Sequence, residues 1–280
     1  MRQWSVFAMA LASVACTSSS HSPSTHLPID SPAEAGCTGS ERARFDVLSS
    51  LDWQPTLVMQ PDEDWSRQWF LDGEYATVNH RGGVLDFAAG PIAGDDAHHA
   101  VLWTRQSFSG DVKIEYDWTK LDRARSYVNI LYVQASGEPA AGFAEDIAQW
   151  ADERRIPKMS AYFGSMNTLH ISYSATALQG AQEYVRARRY EPAKGVTLER
   201  TDLAPDYFSP GLFQRMGEVH HITVIKHGDD LFLDARTQER ACLFHWRLDQ
   251  ARPVKHGRIG LRHMYTRHSS YRGFRVSTLP

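Results

Sequence analysis

In the run Leu169-His170-Ile171-Ser172-Tyr173 apolar and polar side chains alternate, and along a strand alternate side chains point to opposite faces. With Leu169, Ile171 and Tyr173 turned to a core, His170 and Ser172 share the other face. An imidazole there titrates near neutral pH and can act as general acid or base, or bond a hydroxyl. A structural histidine satisfied by a neighbouring strand is the competing reading. Arg186 and Arg188 stand two apart in Tyr184-Val185-Arg186-Ala187-Arg188, and Arg262 falls opposite Ile259 and Leu261. Guanidinium groups pair bidentately with carboxylate or sulfate. Neutralising a uronate carboxylate is what β-elimination needs before a base removes the adjacent C5 proton, so His170 with Arg262 and Arg186 is the set a polysaccharide lyase would use. Charged residues that protect strand edges give the same pattern without chemistry. Trp103, Trp118, Tyr132 and Trp150 offer flat faces on which a sugar ring can stack, or an aromatic core.

Two acidic groupings invite other chemistry. Glu115 and Asp117 are two apart on one strand and share a face, as the acid and nucleophile of a retaining glycosidase do. The further carboxylate that retaining jelly-roll glucanases place two residues on is replaced here by Thr119, which leaves hydrolysis as the third reading. Asp95-Asp96 beside His98-His99 has the residue types of a metal site, but the spacing is too compressed for a catalytic metal. A structural calcium held by Asp96 and backbone carbonyls is the one ion the run suits, and no other cofactor is expected.

Short β-rich runs must position these groups. Eleven of them occur between Val84 and Ser277: 84–87, 100–104, 112–118, 127–134, 168–174, 183–188, 220–226, 231–235, 244–248, 258–263 and 271–277. Turn residues bound them, and His227-Gly228-Asp229-Asp230 joins two as a hairpin. One helical period, Phe143 to Arg155, precedes Pro157. This pattern predicts an all-β sandwich with one short helix on a loop. The 280 residues carry a net charge of -3, which lacks the basic footprint of a nucleic-acid binder. The sequence has 8 Trp, 11 Tyr, 12 Phe and 13 His.

The amino terminus reads as an export signal over residues 1–15, a charged start followed by a short apolar run. Ser13-Val14-Ala15-Cys16 resembles a lipoprotein cleavage box, with Ser13 where Leu is preferred; cleavage after Ala15 by the ordinary signal peptidase is the alternative. Lipidation of Cys16 would make the protein a periplasmic or outer-membrane lipoprotein, touching membrane only through that anchor. Cys37 and Cys242 then remain in an oxidising compartment and are expected to pair. Residues 16–41 read as a tether and 42–280 as the folded domain.

Three further stretches carry a family resemblance: Asp96-Ala97-His98-His99-Ala100-Val101-Leu102-Trp103, Asn167 to Tyr173, and Gly257 to Arg262 with Tyr271-Arg272-Gly273-Phe274. They resemble the YesU-like family, over roughly residues 50 to 278. The resemblance implies a concanavalin A-like jelly roll, two stacked antiparallel sheets with a carbohydrate-sized concave groove, in a protein linked to polysaccharide degradation. It implies His99 as a second histidine at the groove, with a turn-capping role as the alternative. Together these readings favour a lyase acting on an acidic polysaccharide, with His170, His99 and Arg262 catalytic. Arg186, Arg188, Trp103, Trp118, Tyr132, Asp117 and Ser172 would then bind substrate. A non-catalytic glycan-binding lipoprotein is the runner-up.

Overall fold

The structure, a computed structural model, describes residues 39–176, 182–192, 197–208 and 211–280. Cys16 and Cys37 lie outside the described residues, and with them the lipidation site, the export signal and the expected disulfide to Cys242. The helix α1 (Gly39–Ser49) takes in the last residues assigned to the tether and leads to fifteen strands. The first eight are β1 (Gln54–Val58), β2 (Trp69–Asp72), β3 (Thr77–Arg81), β4 (Val84–Ala88), β5 (Ala100–Ser109), β6 (Val112–Lys120), β7 (Tyr127–Gly137) and β8 (Met166–Thr176). They are followed by β9 (Glu183–Tyr190), β10 (Asp202–Phe208), β11 (Val219–His227), β12 (Asp230–Arg236), β13 (Ala241–Arg247), β14 (His256–His263) and β15 (His268–Thr278).

The strands form two sheets, and every pairing is antiparallel. One has eight strands in the order β13-β12-β11-β6-β15-β4-β3, with β1 on β15; the other has seven, β10-β9-β8-β7-β14-β5-β2. All eleven expected runs are strands, and the sandwich is the architecture the sequence predicts. Strand β6 shows why. Val112, Ile114, Tyr116 and Trp118 are buried while Lys113, Glu115, Asp117 and Thr119 are half-exposed. The buried set meets Leu131, Leu169, Ile171, Tyr173 and Leu261 of the seven-stranded sheet in the main core.

Both outer faces carry a cover. On the eight-stranded sheet, Phe45 and Leu48 of α1 pack on Ile225, Phe232 and Leu243. Arg42 bonds Asp234 at 2.6 Å, and Arg44 bonds Asp230, which also takes Arg247 at 2.7 Å and His245 at 2.8 Å. On the seven-stranded sheet the cover is residues 138–165, whose Ile147, Trp150 and Tyr162 pack on Val101, Trp103, Ile130, Tyr132 and Tyr190 in a second core. Strands β7 and β8 are therefore buried on both faces. Among the described residues no helix is long and apolar enough to cross a membrane.

The helix expected over 143–155 is instead a 3-10 stretch, Ile147–Arg154, broken at Trp150 (φ -128°, ψ 33°), followed by the short α2 (Met159–Phe163). Arg154 supplies the reason. Its guanidinium donates to the Ile147 and Trp150 carbonyls, both at 3.0 Å. In an α-helix those acceptors would take main-chain N–H groups four residues on.

Trp103 lies flat over β14 at Gly260: a Cβ there would sit 2.4 Å from its ring. Gly260→Ala is expected to overpack this layer and destabilise the protein by about 1–3 kcal/mol, read from urea unfolding. An unchanged midpoint would mean that the indole is not held against the strand.

Candidate functional site

Strand register assembles most of the residues singled out in the sequence on the outer face of the seven-stranded sheet. In one row, Asp202 on β10 pairs with Arg188, Arg188 with His170, His170 with Tyr132, Tyr132 with Gly260, and Gly260 with Trp103. In the next, Arg186 pairs with Ser172, Ser172 with Ile130, Ile130 with Arg262, Arg262 with Val101, and Val101 with Asp72. The face assigned to His170 and Ser172 from alternation is therefore the one they occupy.

That face is partly roofed. His170 is 2% exposed beneath the 138–165 cover. One ring nitrogen lies 2.5 Å from the Tyr190 hydroxyl and the other 2.6 Å from Ser172 Oγ. Burial, and then the Arg188, Arg262 and Arg186 guanidinium groups, hold its pKa well below the ordinary histidine value, so the ring is neutral. It donates through one nitrogen and accepts through the other. Arg262, fully buried, donates to the Pro157 carbonyl at 2.8 Å and lies 4.6 Å over the Tyr162 ring. Tyr132 packs against both Trp103 and Tyr162, at 5.2 and 5.7 Å, and those two rings lie 6.3 Å from each other.

His99 also reaches this neighbourhood. Its ring stacks on Tyr265 at 4.3 Å, and its Nδ1 accepts from the Tyr265 N–H at 3.1 Å. That fixes Nε2 as the protonated nitrogen, which points at Asp96 Oδ1, 3.3 Å away. Burial, with Arg262 nearby, lowers the His99 pKa to about 3. Among the described residues no group of three or more His, Cys, Asp or Glu side chains gathers as metal ligands would.

Four of the expected substrate-binding assignments are corrected by the fold, at Trp118, Asp117, Trp103 and Tyr132. Trp118 lies in the inter-sheet core against Tyr173, Phe213 and His220, fully buried, so no sugar can stack on it. Asp117 belongs to the outer face of the other sheet, where His221 Nδ1 lies 2.5 Å from it. It cannot join His170 across the thickness of the sandwich. Glu115 shares that remote face and pairs with Lys113 at 3.3 Å. Trp103 and Tyr132 are on the right face but completely buried, and Trp150 is in the cover.

Reading the sequence missed Asp72, whose buried carboxylate takes Arg154 Nε at 2.7 Å, Trp103 Nε1 at 2.8 Å and the Tyr162 hydroxyl at 3.1 Å. Nothing in the four-residue run of β2 signals this. It also missed an open cleft of about 440 Å³ at the end of the same face, lined by Tyr127, Tyr184, Arg186, Phe208 and Tyr265. Here a signal existed, because Tyr184 has the parity of Arg186. Val128 and Met264, two residues along from Ile130 and Arg262, line the cleft as well, so it borders the roofed rows. Arg186 forks onto Asp206, Nε to Oδ1 at 2.7 Å and Nη2 to Oδ2 at 2.5 Å, and lies 5.0 Å over the Tyr184 ring. Arg188 pairs with Asp202 and donates to the Leu198 carbonyl at 2.5 Å.

A family model described as "Domain of unknown function (DUF1961)" matches residues 59–276. No curated protein matches. Among solved structures, a Bacillus subtilis protein of unknown function with a galectin-like fold aligns at 18% identity and TM-score 0.58, over 80% of this chain and 97% of that one. A legume lectin-like domain from Entamoeba histolytica aligns at 4% identity and TM-score 0.54, over 80% and 97%. The VIP36 exoplasmic/lumenal domain, solved with Ca2+ and Man3GlcNAc, aligns at 9% and 0.52, over 81% and 90%. At these identities the likeness is one of fold.

Two outcomes follow from the buried groups. Asp72→Asn leaves the fully buried Arg154 without its counter-charge and should destabilise by about 3–5 kcal/mol; a loss under about 1 kcal/mol in urea unfolding would show that the pair does not hold the cover. Histidines 99, 170 and 263 stay neutral in the folded protein, with His263 also lowered to about 3, whereas in the unfolded chain they take protons below about 6.5. Their depressed pKa values make stability fall as pH drops from about 6.5 toward 3, by up to about 1.4 kcal/mol per pH unit for each ring. Urea midpoints at pH 7.5 and 5 check this, and His99→Gln should flatten the slope.

Proposed function

We propose that this chain, which belongs to the DUF1961 family, is an exported glycan-binding protein whose binding site is the open cleft beside Tyr184 and Tyr265. The observation that carries the reading is the cleft itself: about 440 Å³, lined by four half-buried aromatic rings and by Arg186, whose guanidinium forks onto Asp206. Its volume suits a small ligand. Rings with an apolar face and a polar tip suit sugars, which present axial hydrogens to the ring and hydroxyls to the rim. Support also comes from the fold neighbours, among them a legume lectin-like domain and a domain solved with a mannose oligosaccharide. The leader and Cys16 box of the sequence would place such a site outside the cytoplasm, as a lipoprotein.

A second reading, β-elimination on a uronate polymer, is favoured by the neutral His170 between Tyr190 and Ser172, one register row from Arg262. It requires substrate to pass the 138–165 cover, since both ring nitrogens already hold hydroxyl partners. Binding without turnover asks for no such opening.

The two readings part in one experiment. The purified protein is titrated calorimetrically with oligosaccharides and incubated with pectic, alginate and glycosaminoglycan polymers, following absorbance from unsaturated uronates. Saturable binding without new absorbance is expected, and formation of unsaturated product would replace binding with the lyase reading. Tyr184→Ala and Tyr265→Ala should each weaken binding about two- to thirteenfold, the value of one aromatic contact of about 0.5–1.5 kcal/mol. Binding unaffected by both would remove the cleft as the site.

A further inference from the structure

The sequence offered three guanidinium groups to an acidic ligand, and the structure accounts for the charge of two of them. Arg186 spends Nε and Nη2 on Asp206, with Asp202 3.9 Å from its Nη1. Arg188 pairs with Asp202 and also reaches the Thr201 hydroxyl at 3.3 Å. Arg262 has no carboxylate partner among the described residues, but it is sealed under the cover with no exposed surface and does not line the cleft. Arg186 is the one charged residue among those that line it.

Resting on the glycan-binding reading above, we infer that the cleft selects neutral sugars and rejects uronates and sulfated sugars. Two guanidinium groups and two carboxylates cancel at its edge. Asp202 and Asp206 each retain about a third of their side-chain exposure. An entering carboxylate therefore meets two like charges, and the one cation among the described residues that line the cleft, Arg186, is already paired, so the ligand would have to displace Asp206 from the fork. A neutral sugar has no such conflict. The carboxylate of Asp206 has lone pairs beyond the two used by Arg186, and Arg186 has an N–H on Nη1 outside the fork. One acceptor and one donor held side by side match two adjacent hydroxyls of a pyranose, while Tyr184 and Tyr265 supply the apolar contact.

The test is calorimetric titration of the full chain with two panels: neutral oligosaccharides of gluco, manno, galacto and xylo configuration, and acidic ones comprising oligogalacturonate, oligoalginate and heparin fragments. At least one neutral probe should bind, with little dependence on salt, while every acidic probe binds at least tenfold more weakly. Asp206→Asn breaks the fork without adding bulk on the edge strand β10. It should weaken the neutral ligand at least tenfold and strengthen the acidic probes, with its urea midpoint checked against the parent. Acidic probes binding tighter than every neutral one, or a neutral affinity untouched by Asp206→Asn, overturns the selectivity while leaving a glycan binder. Failure of both panels overturns the glycan reading and the inference with it.

Discussion

The outer face of the seven-stranded sheet is organised around the buried carboxylate of Asp72. It accepts from Arg154 and Tyr162 in the 138–165 cover and from Trp103 in the sheet. A carboxylate taken out of water is costly unless charge-paired and fully bonded, and burial pushes the pKa of Asp72 up despite those donors. Arg154 must therefore stay where it is, and with it the carbonyls of Ile147 and Trp150 that it also binds. This one carboxylate thus ties together the broken path of the cover, the position of Trp103 over Gly260, and the enclosure of Tyr132 and His170.

That enclosure divides one face into two chemically different parts. Under the cover His170 is satisfied between Tyr190 and Ser172, whereas Arg262 bonds one carbonyl through Nη2 and lies over the face of Tyr162 while its buried Nε and Nη1 have no hydrogen-bond partner among the described residues. Beyond the cover's edge the same rows emerge as the cleft, where Tyr127, Tyr184 and Tyr265 keep part of their rings in solvent. A preformed cleft with paired charges can take a ligand with little reorganisation, which is the property a binding protein needs.

The opposite outer face follows the same logic with a different element. Asp230, Phe232 and Asp234 alternate along β12, so α1 meets an apolar ring flanked by two carboxylates, and Arg42, Phe45 and Arg44 answer that pattern. Both sheets thus carry a cover held by apolar contact and by arginines paired with buried aspartates. The difference is that α1 rests on an otherwise solvated face, whereas the 138–165 segment borders the cleft.

Period-two alternation determined the strands, the two-sheet architecture, and the side of its own strand on which each residue falls. It put His170 with Ser172 and Arg186 with Arg188 correctly, and it would have sent Trp118 inward, since that residue shares the parity of Val112, Ile114 and Tyr116. Trp118 and Asp117, being adjacent, could never have faced one ligand. The sequence alone could not say to which sheet a strand belongs or what lies over its outer face. The separation of Asp117 from His170, the sealing of Arg262 and the gathering of Tyr127, Tyr184 and Tyr265 were decided only by tertiary structure. These depend on contacts between residues 20 to more than 100 positions apart, such as Arg186 with Asp206, Arg154 with Asp72 and His221 with Asp117, and local periodicity carries no information about partners at that distance.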